Sequence, residues 1–373
     1  MARAGLTTPG AHKPADMMQL FSEPAARIRT MSGGTLGRDR TIDMVGMSPA
    51  FIDLLVRLQK VARYREPVLI TGESGVGKEQ VARALHLLSP TRGPYVSVNC
   101  PQYQDGNLTV SELFGHARGS FTGAVSDHRG AFEQADGGVL FLDEVGDLHP
   151  AAQSMLLRTL SNGEFRPLGA QLTRTVNTRV VSATNRPLNQ LVMSGDFRYD
   201  LFFRLRHFHL AIPPLRERAD DWRLIVEYRL EQLRQQYGMP KQMSAEALAM
   251  LATYDWPGNA RQLIAVVTSG YAMADGDVIE PDDIESLIVR LDSHQDTASD
   301  LYERVTTGSE SFWDVIHQPF LNRQLNRAQV RAVVLSGLTA SRGSYRRLLE
   351  VFNLPGADYQ RLMDFLRHHD LKP

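Results

Sequence analysis

The chain is 373 residues long, with 41 Lys plus Arg against 42 Asp plus Glu and a net charge of −1. At about 150 residues per domain this predicts two or three domains, and the near-neutral balance excludes a uniformly basic nucleic-acid coat. The single cysteine, Cys100, excludes an internal disulfide and a multi-cysteine zinc site.

Residues 1–40 read as an irregular tail, because Pro9, Pro14, Pro24 and the pair Gly33–Gly34 interrupt any long helix. Met1–Leu6 lacks a signal-peptide apolar run, and no uncharged apolar stretch reaches the ~18 residues of a membrane span. A cytoplasmic protein with no membrane partner is expected.

From 41 to 212, short apolar runs at Pro67–Thr71, Tyr95–Asn99, Val139–Leu142 and Val180–Ala183 alternate with segments of helical period. Runs of this kind are strands buried on both faces, so the expected fold class is α/β with a mostly parallel sheet. Over 213–290 the strands stop. Ser244 is placed to cap a helix through Leu248 and Leu251, Trp256–Asn259 reads as a turn, and Arg261 to Ala274 reads as a second helix of a smaller helical domain. Residues 275–310 carry 11 acidic and 2 basic residues, and 291–310 within them read as a solvated acidic linker. Residues 311–373 reverse the balance, with 9 basic against 5 acidic residues.

The string Gly72-Glu73-Ser74-Gly75-Val76-Gly77-Lys78 follows a strand and opens a helix. In that setting the glycines let backbone N–H groups turn toward phosphate oxygens, and Lys78 reaches the β- and γ-phosphates. The residue after the lysine is Glu79, where the generic phosphate loop has a Ser or Thr for Mg²⁺. A second strand ends in Asp143–Glu144, at the edge where an open α/β sheet binds its ligand. Asp143 is expected to hold Mg²⁺, directly or through water, and Glu144 to deprotonate an attacking water, which makes a hydrolase rather than a kinase. Thr184 and Asn185 end a further strand, where Asn185 is placed to position that water. Asn99 ends another and is placed to hold Glu144 in an inactive pose. Arg198 and Arg204 carry forks suited to a phosphoryl transition state, but on spacing alone a surface helix with an Arg198–Asp200 or Asp200–Arg204 pair stands ahead.

These strings, with Glu112–Gly115, Gly119–Ala124, Ala135–Gly138, Ala183–Asn185, Phe197–Leu201, Pro213–Arg218 and Trp256–Asn259 in one order, resemble the AAA+ domain of the sigma-54-dependent transcription activators. The resemblance covers about 42–290. It implies a ring oligomer, usually a hexamer, with ATP between subunits. It implies arginine fingers at Arg198 and Arg204 acting on the neighbour's nucleotide, a sensor arginine of a helical lid at Arg261, and an Asn99 switch on Glu144. Val45 and Gly46 match a stretch near the adenine, and Glu79 is the family's usual residue after the lysine. The loop Gly119-Ser120-Phe121-Thr122-Gly123-Ala124 matches the family's GAFTGA string, which contacts the sigma factor. Two glycines allow a tight mobile loop with an apolar and polar tip, although an ordinary turn with Phe121 tucked inward has the same residues. Ser120 stands where Ala is usual, adding a hydroxyl that can bond locally. Ala117 stands where an acidic residue is usual, which bears on the coupling of hydrolysis to loop movement.

At the C-terminus, Val330, Val333, Val334 and Leu338 mark one helix face, Tyr345, Leu348, Leu349 and Phe352 a second, and Tyr359, Leu362, Met363 and Leu366 a third. Asn353–Gly356 breaks the last two, and Asp358 is a candidate cap. Three short helices fit a helix-turn-helix, with Gln360, Arg361, Asp364, Arg367 and His368 outward toward double-stranded DNA and Arg346 and Arg347 toward phosphate. A helical bundle for oligomerisation or partner docking fits the same pattern.

The resulting expectation is an ATP- and Mg²⁺-dependent activator of sigma-54 RNA polymerase holoenzyme. The alternatives are a AAA+ remodeller of another client and a DNA-binding repressor that no longer acts on sigma-54. Residues 1–40 leave no room for a sensor domain, so control is expected from a separate regulatory protein or from abundance, unless the chain is a truncated form.

Overall fold

Five short strands form one parallel sheet: β1 Val68–Thr71, β2 Tyr95–Asn99, β3 Val139–Asp143, β4 Arg179–Thr184 and β5 Phe208–Ala211, in the order β2-β3-β4-β1-β5. The computed structural model describes residues 17–37, 41–102, 106–121, 123–292, 298–307, 310–321, 325, 327–369 and 371–372. Every residue of β4 and Val139–Leu142 of β3 is buried, as continuous apolar runs in a parallel sheet require. Register brings the carboxyl ends into line: Asn99 pairs with Asp143, and Thr71 with Thr184. Four segments that the sequence separates widely therefore end on one edge.

Helices cover both faces. In chain order they are α1 Glu23–Leu36, α2 Pro49–Val61, α3 Lys78–Leu88, α4 Gly106–Phe114, α5 Ala131–Gln134, α6 Pro150–Asn162, α7 Leu188–Ser194 and α8 Tyr199–Leu205. Leu69, Val98, Leu140, Leu142 and Val180 share one apolar cluster with α4, α6 and α8, inside which Phe114 stacks on Phe132. The alternate strand residues Ile70, Phe141 and Val181 are equally buried, and α3 packs against β1, β3 and β4. A cation lies within this core. Arg179 in β4 is 3% exposed and donates to the carbonyls of Val61 and Ala62, each at 3.0 Å. It thereby satisfies acceptors that the end of α2 leaves open. Burial pulls its pKa down to about 10.

Residues 17–36 differ from the expected irregular tail. A single 3-10 turn, Met17–Leu20, leads into α1, whose Ala25 and Ile28 are fully buried. The predicted breakers sit where a helix accepts them. Pro24 lies in the first turn, which has no N–H to lose, and Gly33–Gly34 lie in the last.

After the sheet come α9 Asp221–Tyr237, α10 Ala245–Ala252 and α11 Asn259–Met273, with α9 packed on α11. Ser244 caps α10 as expected, its hydroxyl accepting from Ala247 N–H at 3.1 Å. The chain divides into two compact units, 1–283 and 284–373, with the boundary inside α12, Pro281–Asp292.

The second unit holds more than the three expected helices: α13 Ala298–Thr306, a π-helical turn Trp313–His317, α14 Gln318–Leu321, α15 Arg327–Ala340, α16 Tyr345–Val351 and α17 Tyr359–His368. The proposed linker 291–310 is thus partly structural. Leu301 and Val305 of α13, four apart, are fully buried in the core of this unit, and acidic residues on the outer face masked that pattern. Residues 293–297 lie outside the described residues. Phe312 stacks on Phe352 at the centre, with Leu348, Leu362 and Leu366 around them. Asp358 precedes α17 without capping it. Its carboxylate accepts from Trp313 Nε1–H at 3.0 Å.

Candidate active site

The loop from β1 to α3 turns at Gly72, Gly75 and Gly77, all with positive φ. A cavity of about 750 Å³ opens beside it. Its lining includes Val45, Ser74–Glu79, Asn99, Asp143, Glu144 and Arg261, so most of the residues singled out in the sequence meet in one place. Gly46 is not in this lining but lies directly behind it. A Cβ there would come within 2.5 Å of Arg218 Nη2 and Asp221 Oδ2, and its φ is +151°.

Lys78 is buried, and its ammonium is heavily engaged. Nζ donates to the carbonyls of Gly72 (3.1 Å) and Glu73 (3.3 Å) and lies 3.1 Å from Glu144 Oε1. Glu144 sits in left-handed backbone, φ +51°, at the end of β3. Its other oxygen accepts from the backbone N–H of Asn185 at 2.8 Å. Asn99 lines the cavity, but no hydrogen bond among the described residues joins it to Glu144, as the expected switch would require. Asn185 meets Glu144 through its main-chain N–H. The Thr184 hydroxyl is likewise committed, accepting from Arg186 N–H at 3.0 Å. Asp143 is half-buried, and burial, followed by the adjacent Glu144 charge, raises its carboxyl above the ordinary value. A carboxylate made costly in this way beside a phosphate-loop lysine suits a divalent cation such as Mg²⁺. Glu79, also in the lining, is committed to an exposed pair with Arg83 at 2.8 Å.

The helical part of the unit reaches this loop directly. Arg216 Nη1 donates to Glu73 Oε2 at 2.9 Å, holding that carboxyl below its usual range, and Arg261 Nη1 lies 3.4 Å from Ser74 Oγ. In the cavity wall itself, the buried Arg218 packs 3.6 Å over the Phe51 ring, pairs with Asp221 and donates to Val45 O. Arg216 and Asn259 stand in the strings Pro213–Arg218 and Trp256–Asn259, and nothing in their spacing announces contact with a loop some 140 to 190 residues away.

Arg198 and Arg204 do not line the cavity. Arg198 forks onto Asp200 at 3.0 and 2.8 Å, as the surface-pair alternative has it. Arg204 donates twice to Leu160 O, at 3.1 and 2.8 Å.

In the loop Gly119–Ala124, Gly119 N–H donates to Ala124 O at 2.8 Å and Ala124 N–H to Phe121 O at 3.0 Å. Phe121 is half-buried, edge-on to His116 at 5.0 Å, which matches the tucked alternative rather than an exposed tip. The Ser120 hydroxyl, expected to bond locally, is buried with no hydrogen-bond partner among the described residues. Thr122 lies outside the described residues.

In the second unit Arg346, Arg347, Gln360, Arg361, Asp364, Arg367 and His368 are all exposed on α16 and α17. Arg361 lies 3.8 Å over the Trp313 ring, and Gln360 donates to Asp364.

Comparison with known proteins places these features. The Sigma-54 interaction domain matches residues 44–211, and the AAA+ ATPase lid domain matches 216–301. The chain thus carries a sigma-54 interaction domain followed by a AAA+ lid. It is 44% identical over 237 residues to the Nif-specific regulatory protein of Rhodobacter capsulatus, covering 63% of this chain and 41% of the relative. It is 38% identical over 304 residues to the Nif-specific regulatory protein of Azotobacter vinelandii, covering 81% of this chain and 58% of the relative. The crystal structure of NtrX from Brucella abortus in complex with ADP superposes with a TM-score of 0.62 at 27% identity, over 92% of this chain and 70% of that one. The chain thus spans about half the length of these curated relatives. Among the described residues, no helix is long and apolar enough to cross a membrane.

Proposed function

We propose that this chain is a ring-forming ATPase that activates transcription by sigma-54 RNA polymerase. The observation that carries the reading is the family match over 44–211, which places a sigma-54 interaction domain on the segment holding Lys78, Asp143 and Glu144 at one sheet edge. Brucella abortus NtrX, similar in fold, has been solved with ADP and with ATP.

On this reading Lys78 first balances Glu144 and then exchanges it for the β- and γ-phosphate oxygens of ATP. That exchange frees the Glu144 carboxylate, still held by Asn185 N–H, to accept a proton from the attacking water. Water oxygen bonds to the γ-phosphorus, the bond to the bridging oxygen breaks, and ADP and phosphate result. A Mg²⁺ ion held by Asp143 would neutralise charge on the phosphate oxygens. Arg198 and Arg204, outside the chain's own cavity, act on the nucleotide of a neighbouring copy in the ring. Val45 and Gly46 lie at the adenine end, and Arg261 senses the nucleotide from the lid. Hydrolysis releases the Gly119–Ala124 loop from its tucked state, so that Phe121 meets the sigma factor. The exposed basic residues of α16 and α17 hold double-stranded DNA upstream of the promoter, and a separate regulatory protein sets the timing. The domains follow as a AAA+ core, a lid and a C-terminal DNA-binding unit.

An open-complex assay with sigma-54 polymerase tests this. Wild type is expected to open the promoter in an ATP-dependent way, and Phe121→Ala to hydrolyse ATP without opening it. Hydrolysis by wild type with no open complex would move the protein to another client. DNA affinity that does not fall with added salt would remove the DNA-binding role.

A further inference from the structure

Three consecutive phosphate-loop residues are bonded to the turn that starts α11, and one buried side chain makes two of those bonds. Asn259 is 1% exposed, and its backbone is left-handed at φ +52°, a conformation Asn tolerates better than most residues. Its Oδ1 accepts from Leu215 N–H at 2.7 Å. Its Nδ2 donates to Glu73 Oε2 and to Ser74 O, each at 3.0 Å, with Pro257 O further off at 3.5 Å. Next along, Arg261 N–H donates to Gly75 O at 3.3 Å. The loop is also pressed flush against this turn, since a Cβ on Gly75 would stand 2.1 Å from Gly258 O. Beyond Gly75, Gly77 has open space around its Cα and Lys78 faces the cavity. One half of the loop is therefore fastened to the helical subdomain and the other half is left for the ligand.

We propose that Asn259 is a positioning residue for ATP, its amide fixing Glu73 and Ser74 so that the phosphate loop keeps its cradle shape only while the lid turn is seated. The inference rests on the ATPase reading and adds a lid-to-loop fastener to it. Asn259 touches no phosphate itself and acts through the loop. A lid displaced by a neighbouring copy pulls on Glu73 and Ser74 first, which loosens the nucleotide before any group at Asp143 or Glu144 moves. Arg216, on the same Glu73 carboxylate, keeps that side chain turned toward Asn259.

The test is Asn259→Asp, which keeps the size, the tolerance of left-handed backbone and the acceptor for Leu215 N–H. It replaces both donors by a carboxylate facing the Glu73 carboxylate and the Ser74 carbonyl. Affinity for ATP, titrated on the full chain, is expected to fall roughly ten-fold or more, with KM for hydrolysis rising in step and kcat changing much less. Adding Glu73→Gln gives residue 73 an amide donor for the new carboxylate and is expected to restore part of the affinity. A role confined to fold stability would lower the melting temperature and the active fraction, but would leave KM in place and give no such rescue. Unchanged ATP affinity in Asn259→Asp, or a loss that Glu73→Gln deepens or leaves as it is, overturns the proposal. A wild type that binds ATP without turnover defeats the hydrolase reading alone, and the affinity comparison still decides this one. A wild type that binds no ATP defeats both.

Discussion

Lys78 Nζ and Glu144 Oε1 lie 3.1 Å apart, so the ammonium proposed to receive phosphate and the carboxylate proposed to receive the water's proton neutralise each other. Removing the charge on Glu144 has a two-sided consequence. Glu144→Gln is expected to lower turnover by at least about 100-fold, the usual contribution of a general base. ATP affinity in the same variant should hold or improve, because Lys78 loses a competing partner. Single-turnover hydrolysis and ATP titration measure the two effects separately. Loss of binding would mean that Glu144 shapes the pocket rather than acting on water.

The positions of Arg198 and Arg204 outside the cavity predict complementation. Arg204→Ala and Glu144→Gln should each be nearly inactive alone. Mixed in equal amounts under conditions of subunit exchange, they should regain part of the wild-type rate, since some interfaces then pair an intact arginine with an intact base. A mixture no more active than its parts would show that each protomer's arginines serve its own site.

Ser120 offers a stability test in the Gly119–Ala124 loop. Its hydroxyl is buried without a partner among the described residues, against Gly169. Ser120→Ala removes an unsatisfied polar atom without adding volume, and should stabilise the protein by about 1 kcal/mol. Urea unfolding followed by circular dichroism measures it. A loss of stability would mean that the hydroxyl finds a partner in solution.

Cys100 gives a pH prediction. Burial, and after it the charges of Asp143, Asp147 and Glu144, pushes the thiol up to about 12 from an ordinary value of 9.0. Between these values the unfolded chain releases its proton and the folded chain keeps it. This group's contribution to stability is therefore complete below about pH 9 and declines as pH rises toward 12. Cys100→Ala should show a shallower alkaline loss of stability than wild type. At pH 8 a thiol reagent should modify the native protein only as fast as it opens, which alkylation followed by mass spectrometry reads.

Much of the core was legible because the residues involved obey short-range rules. Apolar runs announced the buried strands, Gly72–Lys78 announced a phosphate loop, and Ser244 announced a cap that the structure contains. What escaped depends on the third dimension. Pro24 and the Gly33–Gly34 pair suggested a broken tail, yet each falls in a terminal turn of α1. Nothing in the sequence around Arg179 marks its guanidinium as the group that closes the end of α2. Acidic composition concealed the buried pair Leu301 and Val305. Asn259, Glu73 and Arg216 were visible only as members of separate strings, because a contact across some 190 residues leaves no periodicity to read.

The register that pairs Asn99 with Asp143 and Thr71 with Thr184 divides the chain into segments whose length is fixed and segments whose length is free. One residue inserted within β3 would slide the acidic pair about 3.3 Å along the sheet and turn each side chain to the opposite face. The same insertion between β2 and α5 would be absorbed by a turn. Lineages descended from this chain can therefore be expected to gain and lose residues between their strands while the count inside each strand stays constant.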